Sequence, residues 1–318
     1  MSNINKYIIT IILLLLKIYL VFPQDVSFSQ FQTNLLYLNP AYSGYEKCPE
    51  LSVNYRTQWL SSAVNYTTYY VSYDQYVDVL QGGAGIMFMN DVAGDFTNLN
   101  ISGLYSYFLN FSRKYSFKAG FQCGFNQKSM DINNAKFGDK TEIISNTPVK
   151  YYFDFATGFI LSDKKSHIGI AIHHMNEPNQ SLSKEKSREY TLPVKYTIHF
   201  ETLILKNSIR FKNGELLFSP SALFQIQRRY SYLKYGGYLK INNLISGIWI
   251  NQTLKPQING LIFLIGINTD NYRISYSYDF SILQFSMPNM TTHELLFSYK
   301  FNCKKKKQKN KTIKCSSF

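Results

Sequence analysis

Between about Leu51 and Phe301 the chain alternates apolar and polar residues in short runs separated by turn residues, and none of these runs keeps a period of 3.6. The clearest run is Tyr115 to Asn126. Tyr115, Phe117, Ala119, Phe121, Cys123 and Phe125 alternate with Ser116, Lys118, Gly120, Gln122, Gly124 and Asn126. A period of two sends successive side chains to opposite faces of a strand, so this run predicts one greasy face and one polar or tiny face. Tyr272, Ile274, Tyr276, Tyr278 and Phe280 alternate in the same way with Arg273, Ser275, Ser277 and Asp279, and Leu295, Phe297, Tyr299 and Phe301 repeat the pattern. From Phe218 to Gln227 the alternation includes Pro220, which cannot donate to a ladder and predicts a bulge or a strand start.

Fourteen such segments are predicted, at 51–60, 67–76, 82–91, 97–110, 115–128, 151–163, 166–174, 195–206, 215–229, 232–241, 244–251, 260–269, 272–282 and 294–302. An even number of antiparallel strands can close into a barrel. The connections carry the same message. With the N-terminus on the periplasmic side, the odd-numbered connections include the long ones at 129–150, 175–194, 252–259 and 283–293, and the even-numbered ones include 111–114, 164–165 and 242–243. Short turns on one side and long loops on the other are the habit of outer-membrane barrels, with 207–214 as the exception here. The expected fold is therefore an all-β transmembrane outer-membrane β-barrel of about 14 antiparallel strands. A barrel of that size is too wide for its own side chains to fill, so its lumen holds water or a plug.

Composition supports a membrane face. The chain has 26 Tyr and 24 Phe and only 17% charged residues. A mean hydropathy of -0.19 excludes a helical membrane bundle but not a barrel, whose strands keep half their side chains polar. Residues 1–24 open with a short basic stretch to Lys6, then an apolar run from Ile8 to Leu16, Lys17 and a second apolar stretch to Phe22. This is read as a secretory signal peptide, with the mature chain starting near Gln24 or Asp25. An uncleaved anchor is the rival, and Lys17 interrupts it. A soluble secreted β-sandwich would also alternate, but the leader, the strand regularity and the aromatic richness favour the membrane.

The formal net charge is +14, yet most of it is terminal. The tail 303–318 holds seven lysines and no acid; with these and Lys6 and Lys17 set aside, +5 remains for residues 25–302. The tail lacks interleaved aromatics and follows an export signal, so nucleic acid is not the expected partner. It is either a solvated extension or one that meets anionic lipid headgroups or an acidic partner. Cys48, Cys123, Cys303 and Cys315 are too scattered for a disulfide framework. A Cys303–Cys315 bridge is possible after export, with free thiols the expected state.

Catalytic chemistry has little support. His173 and His174 would point to opposite faces of a strand and chelate metal poorly, which makes them an expected surface pair at a strand end. Gly82-Gly83-Ala84-Gly85 has no following Lys-Ser pair or helix, so it reads as a strand opening after a turn rather than a phosphate loop. No cofactor, metal or enzymatic activity is expected.

Three motifs resemble a known family. Phe28-Ser29-Gln30, Leu38-Asn39-Pro40-Ala41-Tyr42-Ser43-Gly44 and Tyr55-Arg56-Thr57-Gln58-Trp59, in that order, are similar to the start of the PorP/SprF family of type IX secretion proteins. Gly85 to Asp91, Pro220-Ser221, Tyr272 to Phe280 and His293-Glu294 agree with it, whereas Ser43, the middle of the chain and the lysine tail depart from it. The resemblance implies a non-enzymatic outer-membrane component of type IX secretion and gliding motility, with periplasmic ring components and secreted surface adhesins as partners and outer-membrane lipid around it. A general porin or small-solute transporter is the alternative, with Lys118, Gln122, Arg273 and Asp279 lining its lumen. The expected organisation is a signal peptide at 1–24, a periplasmic or plug segment at 25–50, a barrel at 51–302 and a tail at 303–318. Asn39, Pro40, Tyr42, Gly44, Arg56 and Trp59 are the candidate partner-docking residues.

Overall fold

The computed structural model describes residues 25–46, 48–59, 65–109, 112, 114–131, 148–182, 190–205, 216–254, 258–282 and 291–301. Residues 1–24, most of the long connections and the lysine-rich residues 303–318 with Cys303 and Cys315 lie outside the described residues.

The strands are β1 (Glu50–Gln58), β2 (Tyr66–Val77), β3 (Gly82–Ala93), β4 (Phe96–Leu109), β5 (Ser116–Met130), β6 (Val149–Ser162), β7 (Ser166–His173), β8 (Lys195–Thr202), β9 (Ile204–Leu205), β10 (Leu216–Gln227), β11 (Tyr230–Ile241), β12 (Leu244–Thr253), β13 (Ile258–Asn268), β14 (Tyr272–Ser281) and β15 (Thr291–Lys300). Successive strands pair antiparallel, and β15 returns to pair with β1 from Glu50↔Lys300 to Gln58↔Thr292, so the sheet closes. The two-residue β9 continues β8, since both pair with the same side of β10. The barrel therefore has 14 staves. Each stave starts and ends within three residues of its predicted bounds.

Pro220 produces the break between β8 and β9 rather than a bulge in its own strand. It sits inside β10 in continuous register with Gly237. On its other side the ladder lapses between Ser221↔Glu201 and Phe218↔Ile204, where a proline has no N–H to give. Ser219 Oγ donates to the Thr202 carbonyl at 3.0 Å, and Leu203 N donates to Lys165 O at 2.8 Å. The Thr202 carbonyl, which the proline leaves without a ladder donor, is thus satisfied by Ser219, while Leu203 N bonds on the β7 side.

Alternation is obeyed, but inverted relative to a soluble protein. Ile86, Phe88, Phe121, Phe153, Ile170, Ile198 and Ile265 point outward and are exposed, while Ser52, Asn54, Ser102, Asn126, Thr197 and Ser277 point inward and are buried. Greasy side chains facing out all around a closed sheet require lipid, which excludes the soluble sandwich. Across β5 and β6 the outer face stacks Phe117 on Phe159, Phe121 on Phe155 and Phe125 on Tyr151. Cys123 lies on this face as a free, exposed thiol.

Turn chemistry matches connection length. At the short-turn end, Asp163 accepts from Lys165 N at 2.7 Å and Ser166 N at 2.6 Å, closing the β6–β7 connection. Those two bonds hold its carboxyl below the usual carboxylate range. Asn242 turns β11 into β12 with φ +53°. The opposite end carries the long connections 131–148 and 174–194, as well as the two-residue hairpins at 94–95 and 228–229. Cys48 is disulfide-bonded, which corrects the expectation of free thiols. It lies two residues before β1, outside the region where local spacing suggested a bridge.

Candidate functional site

The lumen is filled by the chain's own residues 25–46. The segment begins beside Asp154 and Lys195 near the long-connection end and finishes at Glu46 beside Lys300 at the short-turn end. Its local structure is compact. Thr33 N and Asn34 N both donate to Gln30 O, Leu35–Leu38 forms one helical turn, and Pro40–Tyr42 forms a 3-10 turn. Asn39 caps that second turn by accepting from Ala41 N at 2.9 Å, and Pro40 at its first position has no N–H to satisfy. Phe28, Phe31, Leu36, Leu38, Ala41 and Tyr42 pack against a patch of inward wall residues including Tyr70, Met87, Leu104, Ile160, Leu223, Trp249 and Ile262. The hydrophobic core therefore lies inside an otherwise polar lumen.

The first half of the segment is held by charge and hydrogen bonds. Glu294 on β15 is fully enclosed and accepts from Ser29 N at 2.7 Å, Gln30 N at 3.4 Å, Asn34 Nδ2 at 3.2 Å and Asn54 Nδ2 at 2.7 Å. Arg56 Nε lies 3.9 Å from the same carboxylate. Ser29 Oγ donates to Asp279 Oδ2 at 2.7 Å, and Ser275 Oγ donates to Gln30 Oε1 at 2.5 Å. Buried Lys234 donates to Phe28 O at 2.7 Å and Ser27 Oγ at 2.9 Å. A buried carboxylate is tolerated only when its lone pairs are used, and here peptide N–H groups of the segment use them.

The second half is held by close approach. A carbon added to Gly120 would lie 2.2 Å from Ala41 N, and one on Gly158 would lie 2.0 Å from Asn39 Oδ1. The missing side chains on β5 and β6 let the 3-10 turn rest directly on the wall backbone. Asn39 Nδ2 then donates to Phe159 O at 3.3 Å and Ile170 O at 3.2 Å and lies 3.1 Å from His199 Nε2. Gly44 takes φ +64° with its N donating to Asp74 Oδ2 at 2.7 Å, and Ser106 Oγ donates to Ser43 O at 2.6 Å. Gly83, expected only to open a strand, meets the Ser43 carbonyl here.

At the head of the segment, Asp25 receives Lys195 Nζ at 2.6 Å and lies 2.6 Å from His174 Nε2, whose Nδ1 lies 2.9 Å from Asp154. The expected surface pair of histidines is instead buried. His174 adopts φ +59°, which ends the alternation of β7 and turns its ring into the lumen together with His173, 3.3 Å from Leu38 O. Among the described residues no group of His, Cys, Asp and Glu is placed to hold a metal.

The structure brings five of the six candidate residues together around the luminal segment. Asn39, Pro40 and Tyr42 are buried in it, Gly44 lies two residues before its end and Arg56 faces Glu294. Trp59 stands apart at the far end of β1, its ring 5.0 Å from Tyr66. Glu294, Asp279 and Gly120 were visible as residues of motifs or strands, but no local signal marked them as partners of residues some 80 to 265 positions away.

The motifs that converge on this lock belong together. A family model described as "Type IX secretion system membrane protein PorP/SprF" matches residues 20–299. The chain belongs to the PorP/SprF family. As a PorP/SprF protein it is an outer-membrane component of type IX secretion with a non-enzymatic role, associated with that machinery. Its short-turn end is accordingly the periplasmic one. Among solved structures the chain is similar to the toluene transporter TodX of Pseudomonas putida, at 8% identity over 88% of this chain and 99% of that one, with a TM-score of 0.49. A Pseudomonas aeruginosa FadL homologue gives 11% identity over 83% and 93% with a TM-score of 0.47, and Omp33 of Acinetobacter baumannii gives 8% over 80% and 99% with 0.44. No curated protein matches the chain.

Proposed function

We propose that this protein is a plugged, fixed membrane station that assists the export or surface anchoring of adhesin-like proteins and supports gliding motility. Its periplasmic mouth docks components of the secretion ring, and its aromatic outer face sits in outer-membrane lipid. The observation that carries this reading is the luminal segment, locked at both ends and packed around its own apolar core, which suits a rigid docking body better than a solute pore. In this reading Asn39, Pro40, Tyr42 and Gly44 serve docking by fixing the shape of the periplasmic mouth, and Arg56 serves it through Glu294. Trp59 would meet partners at the outer rim.

Affinity capture of the full chain from native outer membrane tests the partners. Recovery of a periplasmic ring protein together with a secreted adhesin is expected, and recovery of neither would overturn the proposal. Planar bilayers test the plug: silence is expected, and large steady conductance would instead make the protein a general porin. Deleting residues 28–44 should abolish adhesin display; normal display from a normally assembled barrel would remove the docking role of the segment.

A further inference from the structure

A cavity of about 130 Å³ opens between the luminal segment and the wall, lined in part by Tyr45, Glu46, Glu50, Glu201, Arg273 and Lys300. Its wall residues come from the periplasmic ends of β1, β7, β8, β11, β14 and β15, with His167 of β7 3.8 Å from Glu201, so it forms a vestibule at that mouth. A smaller recess beside it adds Asp74. The carboxylates of Glu46, Glu50, Asp74 and Glu201 outnumber the cations of Arg273 and Lys300, and Lys300 is already paired with Glu46 at 3.1 Å. The vestibule is thus an acidic recess large enough to admit several waters or a lysine side chain end.

The chain supplies its own polycation at this point. β15 ends at Lys300, and Phe301 N donates to Pro49 O at 2.9 Å, so the ladder between the first and last strands runs on to the edge of the vestibule. Sixteen residues, Cys303 to Phe318, follow with seven lysines and no acid. A second observation is independent of charge. Cys48 is disulfide-bonded and Cys123 is free, and the sequence holds two further cysteines, Cys303 and Cys315, both in this tail. In sequence Cys303 follows Phe301 by two residues and Cys48 precedes Pro49, the residue that Phe301 bonds, so of the two tail cysteines Cys303 is the nearer to Cys48 along the chain.

We propose that a Cys48–Cys303 bridge tethers the lysine-rich tail at the periplasmic mouth and that the tail docks in the acidic vestibule as its intramolecular occupant. The tether makes docking a local event, so weak lysine–carboxylate contacts gain from a high effective concentration. The docked tail covers the floor formed by Tyr45 and Glu46 and masks its acidic charge.

The test uses the full chain in zwitterionic vesicles, treated with a zero-length carbodiimide and mapped by mass spectrometry. Expected are isopeptide links from Lys304–Lys311 to Glu46, Glu50 or Glu201, falling several-fold at high salt and in the Glu46→Gln/Glu50→Gln double variant, and a Cys48–Cys303 peptide under non-reducing conditions. The double variant's folding is checked by its shift on unboiled gels. Replacing the tail lysines by Gln, which leaves the barrel untouched, should abolish the same links. Tail lysines that link to no barrel carboxylate and acetylate as fast as in the free peptide would overturn docking. Protection that arises only in anionic vesicles would overturn it in favour of lipid, and a Cys48–Cys315 bridge would overturn the proposed tether.

Discussion

The two halves of the luminal segment are fastened by opposite means. Residues 27–34 are held by groups that reach for them: Glu294, Asp279, Ser275 and Lys234 project from the wall and spend their hydrogen bonds on the segment's backbone and short polar side chains. Residues 39–44 are held by groups that are missing: Gly120 and Gly83 withhold a side chain so that backbone can lie on backbone, and Gly158 withholds one so that the Asn39 side chain can lie on the wall. The first device is specific because a buried charge is costly unless every partner is in place. The second is specific because close-packed interiors admit no extra carbon. Together they fix both the depth and the rotation of the segment within a barrel too wide to do so by packing alone.

Substitutions at the two ends should break this contrast in a definite order, read as the temperature at which the fast-migrating form is lost on unboiled gels and as trypsin access to residues 25–46. Gly120→Val should have the largest effect, about 4 kcal/mol or more, because its side chain meets Ala41 and Pro40 backbone. Gly103→Val is its control: a carbon at Gly103 meets nothing within 4 Å, so the variant should behave as the parent. Equal behaviour of the two would remove the close-approach argument. Glu294→Ala should cost about 3–5 kcal/mol by stranding Arg56 and the peptide donors of Ser29 and Gln30, with Glu294→Gln milder. If Glu294→Ala left the segment as protected as before, the charged half of the lock would be ornamental. Asn39→Ala loses a cap and two bonds to wall carbonyls and should cost about 1–2 kcal/mol, with protease access rising at residues 39–44 before 27–34. Trp59→Ala should be the mildest, about 1 kcal/mol from its contact with Tyr66, and should leave the segment protected.

The barrel was legible because its code is local. Side chains two apart share a face, so Tyr115 to Asn126 announces both a strand and which residues meet lipid, and the Asn242–Asn243 and 163–165 turns announce where strands reverse. Pro220 announced an irregularity but not its place, because a missing N–H disturbs the strand across the ladder as readily as its own. His173 and His174 misled for a related reason: alternation holds only while φ stays extended, and His174 leaves that region.

The sequence by itself determined the number of strands, their faces and the sidedness of the connections, because each follows from a two-residue period and a few turn residues. It also marked Phe28-Ser29-Gln30 and Asn39 to Gly44 as belonging together, but not what they touch. Only the tertiary structure decided that these motifs fill the lumen, that Glu294 and Gly120 receive them and that five of the six candidate docking residues line or hold a plug. The physical reason is closure. A segment without periodicity finds its partners only when the strands come round to face each other across the lumen, and partners such as Ser29 and Glu294, 265 residues apart, share no local pattern.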